Sequence, residues 1–284
     1  MFKTAYPLAR EYILRNARLI DRRVFETLFE GAATDPVLTA LRAYQNSDGG
    51  FGSCLEPDMR APISQPVTVE QAFFILDLVN GFGDPMVLRA CDYLVSITTT
   101  EGGVPYAVKG VDKYPRTPWW EPSETASLNP TASLAGLLLK HNVNHPWVER
   151  ATAFCRREIP ACEDYQYHTM LPVVSFLTYT PDRAWAKTQL ERIMTRLPGS
   201  GHIAMDPAAT GYAQFPIDWA PYPDSPLRPL FERSVIDLHL RAMADRQQPD
   251  GGWPITWAAV GPGAECEWRG QRTVLNLHIL RENE

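Results

Sequence analysis

Two short stretches concentrate the groups that could do chemistry. Glu56-Pro57-Asp58-Met59-Arg60 places two carboxylates and a guanidinium in five residues, and Glu265-Cys266-Glu267-Trp268-Arg269 repeats that combination late in the chain. A carboxylate in such company has two fates. Held against Arg60 or Arg269 it stays ionised and serves as a tie or an electrostatic clamp; turned towards aromatic rings and away from water, it keeps its proton and becomes a donor. Glu56, Asp58, Glu265 and Glu267 are therefore the expected catalytic candidates. The division expected among them is that Glu267 pairs with an arginine, while Glu56 or Asp58 faces a cavity. Arg60, Arg269, Trp119, Trp120, Trp219 and Trp268 are the expected substrate-binding groups, since aromatic faces stabilise cationic or apolar ligands. The competing reading makes each acid–arginine pair a structural salt bridge that sets register.

Other chemistries lack their residues. The five cysteines, at 54, 91, 155, 162 and 266, form no CxxC pair, and no Asp-x-Cys with a distant histidine supplies a zinc set. His141 and His145 have i, i+4 spacing but sit beside Pro146 with no third ligand nearby. No metal and no cofactor are expected. His168 and His278 each stand alone on an apolar segment and read as core histidines. A nucleophile elbow and a phosphate loop are absent, because the Gly-Gly turns here end helices and do not open one after a strand.

The elements that must position these groups are helices of two kinds. Amphipathic ones keep i, i+4, i+7 spacing, as in Val37, Leu41, Tyr44; Val87, Cys91, Leu94; Trp147, Ala151, Phe154; and Ala186, Leu190, Ile193, with charge on the other side. Segments 67–79, 128–139, 167–179 and 273–280 are apolar almost all round, which predicts helices buried on both faces. Gln65, Glu70 and Asn129, at the starts of such helices, read as caps, with cavity-lining polar groups as the competing reading. Gly-containing turns at 48–50, 101–103, 199–201 and 250–252 accompany the alternation, with first and second 53 residues apart and third and fourth 51. A degenerate turn near 160–164 fills the middle gap, giving a repeated helical hairpin of about 50 residues. Three long connections, 53–65, 102–127 and 198–225, are rich in aromatics and proline; they are expected to cover one end of the assembly as the mouth of a cavity.

The phrase that closes two of these helices, LRAYQNSDGGFG at 41–52 and RAMADRQQPDGGW at 241–253, resembles the QW repeat of the squalene-hopene cyclase and protein prenyltransferase superfamily. Gln45-x3-Gly49-x-Phe51 and Gln248-x2-Gly251-x-Trp253 match it. The whole chain is also similar to a small bacterial group of single-domain proteins carrying GGFG, LEPD and EWRG segments. The resemblance implies an all-α fold, an α/α toroid of five to six hairpins over residues 1–284, with inner apolar helices backed by outer amphipathic ones. It also implies an isoprenoid or similar apolar small molecule in a central cavity, with acid-initiated cyclisation or isomerisation as its chemistry. The Asp-x-Asp-Asp acid motif of that family is missing, so Glu56/Asp58 or Glu265/Glu267 would have to substitute. The alternatives are a non-catalytic toroid that binds an apolar ligand or a protein partner, and a carbohydrate-active α/α barrel.

Composition fits these readings. At 284 residues, 45% of them apolar, the chain can bury a sizeable core, and its net charge of −6 gives no basic face for nucleic acid. No apolar run approaches the roughly 18–20 residues that span a bilayer. A cytoplasmic, reduced protein is expected.

Overall fold

Every long apolar segment becomes a helix. A computed structural model describes residues 1–284 as twelve α-helices with no strand; the extended contacts are isolated bridges at Gln45–Phe51, Met59–Arg116 and Pro105–Ala126. In chain order the helices are α1 (Phe2–Asn16), α2 (Leu19–Phe29), α3 (Asp35–Arg42), α4 (Pro66–Leu78), α5 (Met86–Ile97), α6 (Leu128–Lys140), α7 (Pro146–Glu158), α8 (Tyr167–Tyr179), α9 (Arg183–Arg196), α10 (Pro216–Trp219), α11 (Arg233–Asp245) and α12 (Pro262–Glu282). They fall into two compact units, one of residues 34–193 and one that joins residues 1–33 to 194–284.

In the unit of residues 34–193 the apolar helices are neighbours. α6 packs on α4 and, most closely, on α8. Residues 130–138 of α6 are buried without a break, as a helix apolar on all sides requires. Gly136 permits the close crossing with α8, since a Cβ there would lie 2.9 Å from the Phe176 backbone nitrogen. The amphipathic α7 packs against α5 and α6. The degenerate turn is a short 3₁₀ segment at Ile159–Ala161, and Arg192 covers it by donating to the carbonyls of Ile159 (2.6 Å) and Pro160 (2.8 Å). The Ile159 carbonyl also accepts the Cys162 N–H at 3.2 Å, so Arg192 adds a second bond there.

In the other unit α12 is the hub, in contact with α1, α2 and α11. α1 and α2 hold together through Phe2, Tyr6, Phe25 and Phe29, whose ring centroids lie 5.2–6.2 Å apart. The chain ends meet here: the Met1 ammonium is 3.0 Å from a Glu284 carboxylate oxygen.

Three glycine turns share one geometry. The N–H of Asn46, Thr99 and Gln248 donates to the carbonyl of Gly50, Gly103 and Gly252 at 2.8, 2.9 and 2.9 Å. The N–H of Gly49, Gly102 and Gly251 donates back at 3.0, 3.0 and 2.8 Å. Those glycines have φ of +89°, +97° and +93°, a region that favours glycine. Each turn sits on a helix. A Cβ on Gly49 would lie 2.2 Å from the Arg89 carbonyl oxygen, on Gly102 3.2 Å from that of Arg150, and on Gly251 2.1 Å from that of Leu8. The next glycine in each turn lies against a ring one helical turn further on, that of Tyr93, Phe154 and Tyr12.

The glutamine of the repeat ties turn to helix. Gln45 Nε2 donates to Gly49 O (2.8 Å) and to Met86 O (2.9 Å). Gln247, not Gln248, does the same to Gly251 O (2.9 Å) and Ala5 O (3.0 Å). Counting back four residues from the first glycine identifies it; the expected Gln248 only bonds the carbonyl of Arg246. In the middle copy Thr98 stands in this place and accepts the Trp147 indole N–H at 2.8 Å. The aromatic after each flanking turn, Phe51 and Trp253, is buried, and Trp253 Nε1 donates to the Met243 carbonyl at 2.7 Å. The turn expected at 199–201 is different: Gly201 has φ of +79°, but nothing lies within 4 Å of where its Cβ would be.

These differences generate two expectations for denaturant unfolding. Gly251→Ala suffers both the left-handed strain and a backbone clash, so it should cost several kcal/mol, whereas Gly201→Ala should cost only the strain, about 1–2 kcal/mol. Equal losses would mean that the glycine contact on α1 contributes nothing. Gln247→Ala should cost about 1–3 kcal/mol by removing two hydrogen bonds between the turn and α1, and Gln248→Ala less than about 0.5 kcal/mol. The reverse order would restore Gln248 as the tie.

Candidate functional site

The Glu56–Arg60 segment is interior. Glu56 and Asp58 are only 2% and 1% exposed. The segment is knitted to the long connection 102–127: Arg60 N–H donates to Pro115 O (3.0 Å), Thr117 N–H to Asp58 O (3.1 Å), and Met59 bridges Arg116. Met59, Ala61, Val67, Ala107, Val111 and Trp120 form a small core beneath it, with Tyr106 stacked on Trp120 at 4.7 Å. The Arg60 guanidinium donates to Pro57 O at 3.2 Å. Trp119, next to Trp120, is 45% exposed. Gln65 stands at the N-cap of α4 but makes no side-chain capping bond; its side-chain oxygen accepts Val108 N–H (2.9 Å) and ties connection 102–127 to the start of α4. Ser127, whose oxygen accepts Asn129 N–H, caps α6, so Asn129 is the capped residue.

Glu265–Arg269 lies in the first turns of α12 and not in a loop, because the helical pattern extends back to Pro262. Glu265 and Cys266 are exposed; Glu267, Trp268 and Arg269 are half-buried. Arg269 Nη2 donates to both carboxylate oxygens of Asp250 at 2.8 Å, and its guanidinium lies 4.9 Å over the Tyr12 ring. Burial would raise the Asp250 carboxyl, but Arg269 and the Gly252 N–H outweigh it and hold it below the ordinary value. Asp250 is a member of the glycine turn, so this arginine pair holds that turn. Trp268 meets Trp257 edge to face at 5.2 Å, whereas Trp219 is buried on α10. Glu56, Asp58, Arg60 and Trp120 thus share one cluster; Trp268 and Arg269 belong to another setting.

The histidines have structural partners. His141 bonds Asp77 at 2.6 Å and stacks on Phe82, while His145 Nδ1 accepts Trp147 N–H and caps α7. His278 Nδ1 accepts from Arg281 at 3.1 Å, and it lines a cleft of about 390 Å³ with Tyr222, Pro223, Asp224 and Glu282. None of the expected catalytic carboxylates lines that cleft.

One buried acid stands on an apolar helix, and that acid is Glu70. It is the fifth residue of α4, too far in to cap the helix, and 9% exposed. Its Oε1 is hydrogen-bonded to the Ser133 hydroxyl of α6. Burial pushes its pKa up to about 7, opposed by the Ser133 bond. Asp218 also rises through burial, but Arg272 at 3.8 Å and the Phe215 N–H at 2.8 Å oppose the rise. A neutral hydroxyl does less for a carboxylate than a guanidinium. Phe74, one turn after Glu70 on the same face of α4, is 40% exposed, so this face is not sealed along its length. In the sequence Glu70 is one of two carboxylates, with Asp77, on a helix apolar on both sides, and its nearness to the helix start favours a cap over a cavity-lining group.

Glu70 should make stability depend on pH. Its folded pKa is above the usual 4.5, so the unfolded chain ionises first and stability falls as pH rises from about 4.5 through about 7. The loss from this one group is about 3 kcal/mol at full ionisation. Glu70→Gln keeps a neutral side chain of the same shape and should flatten that slope in urea unfolding between pH 4.5 and 8. An unchanged slope would mean that Glu70 ionises as freely in the folded protein as in the unfolded chain.

No protein-family model matches the chain, and no curated protein is significantly similar to it. Among solved structures it is similar to the crystal structure of a protein from Actinoplanes, with 17% identity and a TM-score of 0.60, over 100% of this chain and 99% of that one. At this identity the likeness shows a shared fold and nothing further.

Proposed function

We propose that the chain closes into an α/α toroid and acts as an acid on an apolar, isoprenoid-like small molecule, with Glu70 as the proton donor. The observation that carries this reading is a buried carboxyl between two apolar helices with a hydroxyl as its partner, where burial raises its pKa to about 7 so that a large share keeps its proton at neutral pH. The ring is supported by the recurring glycine contact. The last such turn rests on α1, the first helix of the chain, as closure of a repeat array on itself requires.

In the proposed isomerisation or cyclisation, the Glu70 O–H bond breaks and a C–H bond forms at an alkene carbon. A C–H bond next to the cationic centre then breaks, its electron pair forms a new double bond and its proton returns to the Glu70 carboxylate, so no further reactant is needed. Burial raises the share of Glu70 that holds its proton at neutral pH; it does not strengthen the acid. The driving force must come from stabilising the cation, for which aromatic faces such as exposed Phe74 are suited.

Linear isoprenoid alkenes incubated in deuterated buffer provide the test. Wild type should place deuterium in a rearranged product, and Glu70→Gln should lower that rate at least about 100-fold, with stability at pH 7.5 equal or higher. Wild-type rates in Glu70→Gln would remove Glu70 as the acid. Binding of the alkenes without any product would favour the non-catalytic toroid.

A further inference from the structure

Ser133 has more acceptors than protons. Its Oγ is within hydrogen-bond reach of Glu70 Oε1 and lies 2.9 Å from the carbonyl oxygen of Pro130, three residues back in α6. A hydroxyl has one hydrogen to give and two lone pairs to receive with. It cannot donate along both contacts, so the direction of the Glu70 contact must depend on where the carboxyl proton is. With Glu70 protonated, the carboxyl O–H donates to Ser133 Oγ and the serine hydrogen goes to Pro130 O, the usual back-bond of a serine inside a helix. With Glu70 ionised, the carboxylate can only accept, and the serine hydrogen is the one hydrogen along these contacts that can meet it.

We propose that Ser133 is a toggling positioning residue: its hydroxyl rests on Pro130 O while Glu70 holds the proton and swings to the Glu70 carboxylate when the proton leaves. The Pro130 carbonyl, in the first turn of α6, has two lone pairs and also faces the helix's own i+4 N–H, so releasing the serine does not orphan it. The surroundings leave this task to Ser133. From Thr131 to Leu138 α6 offers no charged group, and its one cation, Lys140, is bound to Asp77 near the opposite end of α4 at 2.8 Å. On α5, which also packs on α4, Arg89 is bonded to Gln45 and Asp92 to His145. The toggle lowers the cost of the conjugate base just when the proton is delivered, then returns when the proton does. Its catalytic meaning rests on the proposed function, but its existence does not.

Infrared difference spectra of the whole protein across a pH series, wild type minus Glu70→Gln, isolate the carboxylic acid band of Glu70 with no substrate present. Ser133→Ala removes the donor to the carboxylate and should move the midpoint of that band up by about one pH unit or more, tenfold in the ionisation constant. Ser133→Thr retains a hydroxyl and should restore the midpoint, and Ser133→Cys, a weak donor of similar size, should shift it upward even if the alanine variant folds poorly. A merely structural serine would alter stability at every pH and leave the midpoint in place. A midpoint unchanged or lowered in both Ser133→Ala and Ser133→Cys overturns the proposal. That result would leave the deuterium experiment unaffected, and absence of turnover would leave this titration unaffected.

Discussion

The arrangement depends on how closely a Gly-Gly turn can approach the backbone of a helix. At Gly49 and Gly251 the place of a Cβ is occupied, to within 2.2 and 2.1 Å, by a carbonyl oxygen of the helix beneath. No side chain fits there, and the left-handed φ excludes most residues independently. Because the backbones touch, the glutamine amide can reach a carbonyl on that same helix while still closing its own turn. Three residues three and four apart on the receiving helix, Met86, Arg89 and Tyr93 or Ala5, Leu8 and Tyr12, therefore form one receptor for the turn. Shifting the helix by one residue would break the carbonyl contact, the ring contact and the amide bond together. Register is thus set by backbone geometry more than by apolar packing, which tolerates slippage.

That division explains what the sequence revealed. The apolar helices and the glycine turns were legible, since burial and positive φ leave compositional traces. Gln247 was misassigned because its neighbour Gln248 also fits a loose motif, and only spacing from Gly251 separates them. α1 escaped because Pro7 lies inside it, although Phe2 with Tyr6 and Phe25 with Phe29 are i, i+4 pairs that a helix brings together. The apolar pattern marks α12 only over 273–280, because its first turns are charged and contain Gly263. Arg269 was matched to nearby glutamates; its partner Asp250 lies 19 residues back, brought close by the turn at Gly251.

Glu70 was missed for a different reason. Sequence places an acid on a helix but does not say whether an arginine meets it. Elsewhere the structure provides that partner. Asp21 is buried, yet Arg18 donates to both its oxygens at 2.8 and 3.1 Å. Asp250 has Arg269, and Asp218 has Arg272 at 3.8 Å. The pattern of acid with arginine that directed attention to Glu56–Arg60 and Glu265–Arg269 is, at Arg269, the signature of an acid kept ionised.

The same comparison argues for function. A buried carboxyl answered only by a hydroxyl loses stability on ionisation, and a glutamine in its place would avoid that loss while filling the same volume. Nothing in the packing of α4 on α6 requires a group that can ionise; a serine–amide contact would hold the two helices equally well. What the acid supplies, and the amide cannot, is a proton that is present at neutral pH and can leave. Ionisation at this position works against the fold, and its partner, Ser133, can respond to either state. A buried acid whose ionisation opposes folding, beside a hydroxyl able to serve both its forms, is what a site for proton transfer requires.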